Sequence, residues 1–420
     1  MKRVLELPAF RRLLVAYTLN ELASFIGVVA LAFLVYRRTG SAIGAAAFFL
    51  CAEFAPALAS PLLVARLDQR SVRRVLGLLY ALQGLVFLML AWLVGRFALA
   101  SVLVLALVGG VLATSAWVMA RAAWTTLSRG RGLLREANAI INGSFSVCYL
   151  VGPAVGGAVV ALDGTVAALL VNAGAYVVIT VVVATAGALP EALPDRTPAA
   201  GRVRAALGVA RNDQSIRGLL GLQALAMAIF AISIPVEVVF AQHSLHAGAT
   251  GYGLLLSAWG GGAIVGSAIY ARWRVLPSRT LMTLGACLFG IGFAAMALAP
   301  SLAPAVVGCA VAGTGNGIQI VAMRTALQEA TPEKWMALIL SLNESMFLAV
   351  PGIGILAGGA IAALAGPRVA LGAGAAGSVV IALATWARLK AVSTGARTVA
   401  PPPVERSATD EPLTAGARRS

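Results

Sequence analysis

Long apolar stretches, separated by short polar turns, recur along the whole chain. Each is close to the ~20 residues that a helix needs to cross a ~30 Å hydrocarbon layer. A helix also bonds its own backbone groups internally, as a lipid surrounding requires. The pattern predicts twelve membrane-spanning helices, at residues 12–36, 42–64, 74–95, 98–120, 137–161, 165–188, 217–241, 250–271, 279–299, 302–323, 336–364 and 367–389.

The composition agrees with an all-α membrane protein. Apolar side chains make up 60% of the 420 residues and charged ones 11%, whereas a soluble domain carries about 25% charge. The first apolar run is long and ends in Tyr36-Arg37-Arg38 without a small-residue cleavage pattern, so we expect it to remain as helix one. The four cysteines lie inside apolar runs without a Cys-x-x-Cys pair, which predicts buried residues rather than metal ligands. We expect no metal and no cofactor.

The basic residues are distributed very unevenly between the two sides of the predicted membrane domain. The net charge is +16, and 28 of the 32 Lys and Arg residues fall in the terminal segments and the loops on the same side as them. Such a bias places both termini in the cytoplasm, and we expect a multi-pass protein of the plasma membrane. Contact with anionic lipids explains this charge better than nucleic acid does.

The chain contains two related halves. Arg121 closes an apolar run that a polar turn and a glycine-rich run follow, and Arg324 closes a similar run about 200 residues later. Such repeats are typical of transporters with the substrate path between the halves. The pattern predicts a six-helix bundle at 1–189, a cytoplasmic linker at 190–216, a second six-helix bundle at 217–390 and a disordered tail at 391–420.

Four acids lie inside the predicted helices: Glu21, Glu53, Glu237 and Glu344. Tyr17 and Asn20 share a helical stripe with Glu21. An ionisable residue inside a membrane usually faces a polar cavity or a partner. These six residues are therefore candidates for proton coupling or substrate contact. The alternative is that polar neighbours satisfy each acid and that the acids only hold helices together.

Two motifs resemble those of the major facilitator superfamily. The loop after helix two resembles its signature Gly-x-Leu-Ala-Asp-Arg-x-Gly-Arg-Arg: Asp68, Arg73 and Arg74 match, whereas Val64, Gln69 and Ser71 replace other signature residues. Helix five carries Gly152, Pro153, Gly156 and Gly157, which resemble the antiporter motif of the same superfamily. On physical grounds the glycines present a bare helix face for close packing, and the proline permits a bend.

The resemblance implies twelve helices in two six-helix bundles related by a pseudo-two-fold axis. It implies that Asp68, Arg73 and Arg74 form a cytoplasmic gating loop and that helices one, four, seven and ten line a central cavity. Helix four lacks the arginine that proton-coupled drug antiporters often carry there.

We expect a non-enzymatic, monomeric secondary transporter that exports a drug, siderophore or metabolite in exchange for protons. An importer or symporter, or a receptor or scaffold that does not transport, is the alternative. Intramembrane glutamates with Tyr17, Trp117, Trp124 and Trp259 would suit a cationic or amphipathic aromatic solute, although the tryptophans would also suit the membrane interfaces.

Overall fold

The computed structural model describes residues 2–67, 71–129, 131–186, 208, 213–273, 275–331 and 335–395. Asp68, most of the predicted linker and residues 396–420 of the predicted tail lie outside these ranges.

Apart from a short helix at Lys2–Leu5, the described chain forms twelve helical segments, which we number in chain order. They are α1 (Pro8–Thr39), α2 (42–67), α3 (Val72–Leu93), α4 (Leu99–Arg129), α5 (134–163), α6 (165–184), α7 (Gln214–Ser244), α8 (Gly248–Trp273), α9 (Ser278–Leu298), α10 (Leu302–Ala330), α11 (336–365) and α12 (Pro367–Gly395).

The predicted all-α membrane fold is confirmed, and the described residues form no strand. In the described chain ten helical stretches are long and apolar enough to cross a membrane. The longest, Glu136–Ala184, is divided by the non-helical backbone of Gly164 (φ 85°, ψ 172°) into α5 and α6. The count of twelve then depends on α11, which Pro351 divides into Met336–Ala349 and Pro351–Ala365. Each piece is shorter than the ~20 residues of a spanning helix.

The chain reverses direction at Gly164. A β-carbon added at Gly156 would lie 2.9 Å from Cα of Ile26, and one added at Gly27 would lie 2.6 Å from Nδ2 of Asn172. Residues 156 and 172 thus pack against neighbouring residues of α1, although an unbroken helix would separate them by about 24 Å. The break matches the boundary that the sequence predicts between helices five and six.

The helix ends form two layers, which we call end A and end B. At end A, Arg12 of α1 donates to the carbonyl oxygen of Thr185, and Arg73 of α3 donates to that of Ala186 at 3.3 Å. At end B, Arg38 donates to the Val94 carbonyl at 3.1 Å, and Arg368 donates to the Ala297 carbonyl at 2.7 Å. The four arginines predicted to lie away from the basic side are all at end B: Arg37 and Arg38 in the last turn of α1, Arg96 just after α3, and Arg368 in the first turn of α12.

Local sequence signals explain several of these helix ends. Gly40 takes the left-handed conformation (φ 62°) and its N–H bonds the carbonyl oxygen of Tyr36, which ends α1. Ser41 then caps α2, because its hydroxyl accepts the N–H of Gly44 at 3.1 Å. Asp213 caps α7 by accepting the N–H groups of Ser215 and Ile216.

Gly164 provides a test of the reversal. Replacing it with alanine puts a side chain into a region of φ and ψ that is almost restricted to glycine, at a cost of about 1–3 kcal/mol. Gly218→Ala is the control, because that glycine is helical with open space around it. Thermal unfolding in detergent should show a lower Tm for Gly164→Ala and an equal or higher Tm for Gly218→Ala. Equal Tm values for Gly164→Ala and the unmodified protein would argue against a turn there.

Candidate functional site

The glycine motif of α5 lies where three helices meet. A β-carbon added at Gly156 would lie 2.9 Å from Cα of Ile26 on α1, and one at Gly157 would lie 2.6 Å from the Ala249 carbonyl oxygen on α8. Both distances are too short for a side chain. Gly156 therefore packs α5 within its own half, and Gly157 packs it against the other half.

A second glycine pair makes equivalent contacts in the other half, one glycine to a helix of its own half and one to a helix of the opposite half. Gly358 of α11 lies against the backbone of Ile232 on α7, and a β-carbon added at Gly359 would lie 2.5 Å from Cβ of Ala46 on α2. Helices α1 and α7 thus correspond, as do α8 and α2. This equivalence is the pseudo-two-fold relation that the sequence repeat predicts. We call the paired contacts α5–α8 and α2–α11 the seam.

Pro153 shapes the α5–α8 side of the seam. Because proline has no N–H, the carbonyl of Tyr149 loses its helical partner. Gly260 of α8 lies so close that an added β-carbon would be 2.9 Å from that oxygen. One turn away, the N–H of Ala154 donates to the hydroxyl of Ser257 at 2.9 Å. The seam thus has a hydrogen bond and close backbone packing.

The halves separate toward end A. A cavity of about 290 Å³ opens between them, with Phe145, Ser146 and Tyr149 on the α5 side. Trp259, on the α8 side, also belongs to an aromatic cluster with Phe230 at a centroid distance of 5.1 Å. On its α5–α8 side the described seam is therefore closed toward end B and open toward end A, whereas on its other side α11 still meets α2, where a β-carbon added at Gly352 would lie 2.8 Å from the ring of Phe54.

Glu53 lies in a π-helical turn, Leu50–Phe54, in the middle of α2. Such turns insert an extra residue into a helix and are frequent at functional sites. The side chain lines a cavity of about 210 Å³ inside the N-terminal half. We call it the N cavity. No Lys, Arg or His is among its lining residues.

The N cavity has both polar and aromatic residues in its lining. Gln83 is 1% exposed and its Nε2 has no hydrogen-bond partner among the described residues. Asn172 is not in the lining but is fully buried against Gly27, which is, and neither of its side-chain polar atoms has a partner among the described residues. Phe87, one turn after Gln83 on α3, also lines the cavity and stacks on Tyr176 at a centroid distance of 5.5 Å. Unpaired buried amides are costly, so this space suits water or a polar ligand.

Glu237 lies in α7, where 3% of the residue is exposed, just before a second π-helical turn at Phe240–Ser244. Its carboxyl group and that of Glu53 both interact electrostatically with Tyr149 and Tyr252. These four residues come from α2, α5, α7 and α8, so the group spans the seam.

The third acid, Glu21, belongs to a separate group. Asn20 is buried and its Nδ2 lies 3.5 Å from Oε1 of Glu21. Tyr17 packs edge-on against Trp124 of α4 at 5.2 Å. Ser24 and Gly27, which follow Glu21 on α1, line the N cavity, whereas Glu21 does not.

Two predicted features are only partly visible. Glu344 lies in α11, but the structure describes only its backbone. Of the predicted gating loop, Asp68 is undescribed, Arg74 is exposed, and Arg73 bonds α6 within its own half.

Sequence reasoning missed Gln83, Asn172, Tyr149 and Tyr252, because it considered only the four acids and the polar residues that share a helix face with Glu21. Single amides in otherwise apolar helices, as at Gln83 and Asn172, were an available signal.

Comparison with known proteins identifies the family. A family model described as transmembrane secretion effector matches residues 4–410. This chain belongs to the transmembrane secretion effector family of the major facilitator superfamily. The family and the relatives found are transporters rather than enzymes.

Two curated relatives and two solved structures are similar to this chain. It is 26% identical over 355 residues to the multidrug efflux pump Tap of Mycolicibacterium fortuitum, covering 81% of this chain and 86% of the relative. It is 26% identical over 371 residues to Tap of Mycobacterium tuberculosis, covering 86% and 88%. The nucleoside transporter NupG shares the fold at a TM-score of 0.71 and 13% identity, covering 91% and 100%. A bacterial homologue of the iron transporter ferroportin, in an inward-facing state, shares the fold at a TM-score of 0.70 and 17% identity, over 90% of this chain and 98% of that one.

The seam glycines provide a second test. Gly157→Val and Gly359→Val would each force a branched side chain against the opposite half, at a cost of about 1–3 kcal/mol. Gly143→Val is the control, because it makes the same change in α5 where an added β-carbon meets nothing within 4 Å. We expect a lower Tm for both seam variants than for the control. Three equal shifts would contradict close packing at the seam.

Proposed function

We propose that this protein exports small amphipathic molecules across the plasma membrane in exchange for protons, by alternating access between its two halves. The observation that carries the proposal is the asymmetry of the seam. Two equivalent glycine contacts, at Gly157 and Gly359, close it toward end B, while the 290 Å³ cavity opens it toward end A. A carrier with one side closed and the other open needs only a rocking motion to exchange them.

Export is favoured over import by the relatives. The efflux pump Tap covers most of this chain at 26% identity. With end A in the cytoplasm, as the distribution of Lys and Arg predicts, the open cavity would receive solute from inside the cell.

Proton exchange is supported by the acids at the seam. A carboxyl group that the membrane shields can take up a proton when one side opens and release it when the other opens. Glu237 is buried, and both it and Glu53 of the other half interact electrostatically with Tyr252. A proton on either acid would thus alter the charge at the contact that must separate. Glu21 and Glu344 remain further candidates.

The N cavity supports a cationic or amphipathic aromatic substrate. Glu53 supplies a negative charge, Gln83 an unpaired amide, and Phe87 and Tyr176 an aromatic wall. An organic cation would meet both the carboxylate and the ring faces.

The test uses the full chain in proteoliposomes with an imposed pH gradient and a panel of labelled amphipathic solutes. We expect gradient-driven movement of at least one solute, coupled to proton flow in the opposite direction. Glu237→Gln should abolish movement driven by the gradient but preserve exchange of labelled for unlabelled solute, because exchange requires no net proton release. Glu21→Gln, assayed in parallel, tests whether Glu21 rather than Glu237 couples transport to protons.

The control is Glu329→Gln, which makes the same change on an exposed residue at the end of α10. Both activities should persist in it. Gradient-driven transport by Glu237→Gln would remove Glu237 from the coupling. Solute movement in the same direction as protons would indicate a symporter, and no movement of any solute would favour a receptor or scaffold.

A further inference from the structure

A groove runs between α3 and α6 on the outer surface of the N-terminal half. Its volume is about 440 Å³, and its lining residues are apolar except Thr180. That hydroxyl donates to the Tyr176 carbonyl at 2.7 Å, so its hydrogen-bonding need is met. Leu88 and Val177 on its walls are 47% and 62% exposed. We call it the α3–α6 groove.

Small residues keep the groove open. Gly174 lines it, and a β-carbon added there would meet nothing within 4 Å. Gly84 on α3 also lines it, and a β-carbon added there would lie 3.3 Å from Cβ of Tyr176 on α6, much as in the contact between α9 and α12 of the other half. A β-carbon at Gly374 would lie 2.6 Å from Phe293, and one at Gly290 would lie 3.1 Å from Ser378. The α3–α6 contact at Gly84 is thus about as close as the α9–α12 contact at Gly290, whereas the space beside Gly174 is open.

The groove leads toward three exposed arginines at end A. Arg74 is seven residues from Ala81, which in turn is seven from Leu88, so the three lie on one face of α3. Arg73 bonds the carbonyl of Ala186 and Arg12 that of Thr185, directly beyond the end of α6. A guanidinium has five N–H donors, so one carbonyl bond leaves donors for another partner.

The dimensions match one leaflet of a bilayer. The α6 wall, from Leu170 to Val181, is about 16 Å long at 1.5 Å per residue, close to half of a ~30 Å hydrocarbon layer. A hydrocarbon chain in the groove would thus end near the level of the arginines.

We propose that the α3–α6 groove and Arg12, Arg73 and Arg74 form a binding site for one anionic phospholipid. An acyl chain occupies the groove, and the phosphate and a charged headgroup meet the guanidinium groups. This site goes beyond the transport proposal and does not depend on it, because it lies on the outer face of one half and away from the seam.

The test is native mass spectrometry of the full-length protein in detergent, titrated with phosphatidylglycerol or with phosphatidylcholine of the same acyl chains. We expect one tighter site for phosphatidylglycerol. Arg73→Gln and Arg74→Gln should each weaken it by about fivefold, because a basic residue near an anionic lipid surface contributes ~1 kcal/mol. Arg96→Gln at end B is the matched charge control and should leave the site unchanged.

Gly174→Leu tests the groove itself. Its side chain would fill the open space, so the tighter site should be lost although all three arginines remain. Gly372→Leu on α12 is the control, since that glycine also has no neighbour within 4 Å of an added β-carbon. Circular dichroism and Tm establish that each variant folds, and Gly174→Val is a smaller replacement if leucine is not tolerated.

Three outcomes would overturn the proposal. Equal affinities for the two lipids would show that the site does not select charge. Unchanged binding in the arginine variants or in folded Gly174 variants would place the lipid elsewhere. A dimer that dissociates in Gly174→Leu would show that the groove holds a second copy of the chain.

Discussion

Close contact between bare helix backbones at the seam is the constraint on which the rest of this structure depends. In a bilayer, helices gain no hydrophobic free energy by leaving lipid for one another, so association relies on packing and hydrogen bonds. Gly157 and Gly359 allow that packing between the halves, and Ser257 adds a hydrogen bond. A glycine within a helix costs about 1 kcal/mol relative to alanine. Its presence at equivalent places in both halves is consistent with a need for contact there.

The same packing determines where the acids lie. Glu237 is on α7, five residues after the Ile232 that Gly358 meets, and Glu53 is on α2, seven residues after the Ala46 that Gly359 meets. Both carboxyl groups interact electrostatically with Tyr149 of α5 and Tyr252 of α8, one on each side of the seam. Both carboxyl groups therefore lie close to the surface along which the halves would separate. Tyr149, whose carbonyl oxygen is freed by Pro153, brings a third polar side chain to this surface. Opening the seam would change the surroundings of all three residues together.

Much of this arrangement could be predicted from the sequence because it depends on short-range patterns. Helix positions follow from apolar runs, the α5–α6 boundary from a glycine between two runs, and the repeat from two glycine clusters. The division of α11 at Pro351 was not predicted, because the apolar run continues through it. The π-helical turns at Glu53 and just after Glu237 depend on a change of hydrogen-bond register, which composition does not reveal. The N cavity brings together Glu53 and Gln83, which lie on different helices and 30 residues apart in the chain.

Distance measurements between spin labels test the central claim most directly. In a variant with Cys51, Cys148, Cys287 and Cys309 replaced, one label pair at Arg37 and Leu298 would report on end B. A second pair, at Arg129 and Glu329, would report on end A. If the halves rock about the seam, conditions that drive transport should lengthen the end B distance and shorten the end A distance within the same population. Two distances that stay constant, or that change in the same direction, would contradict it.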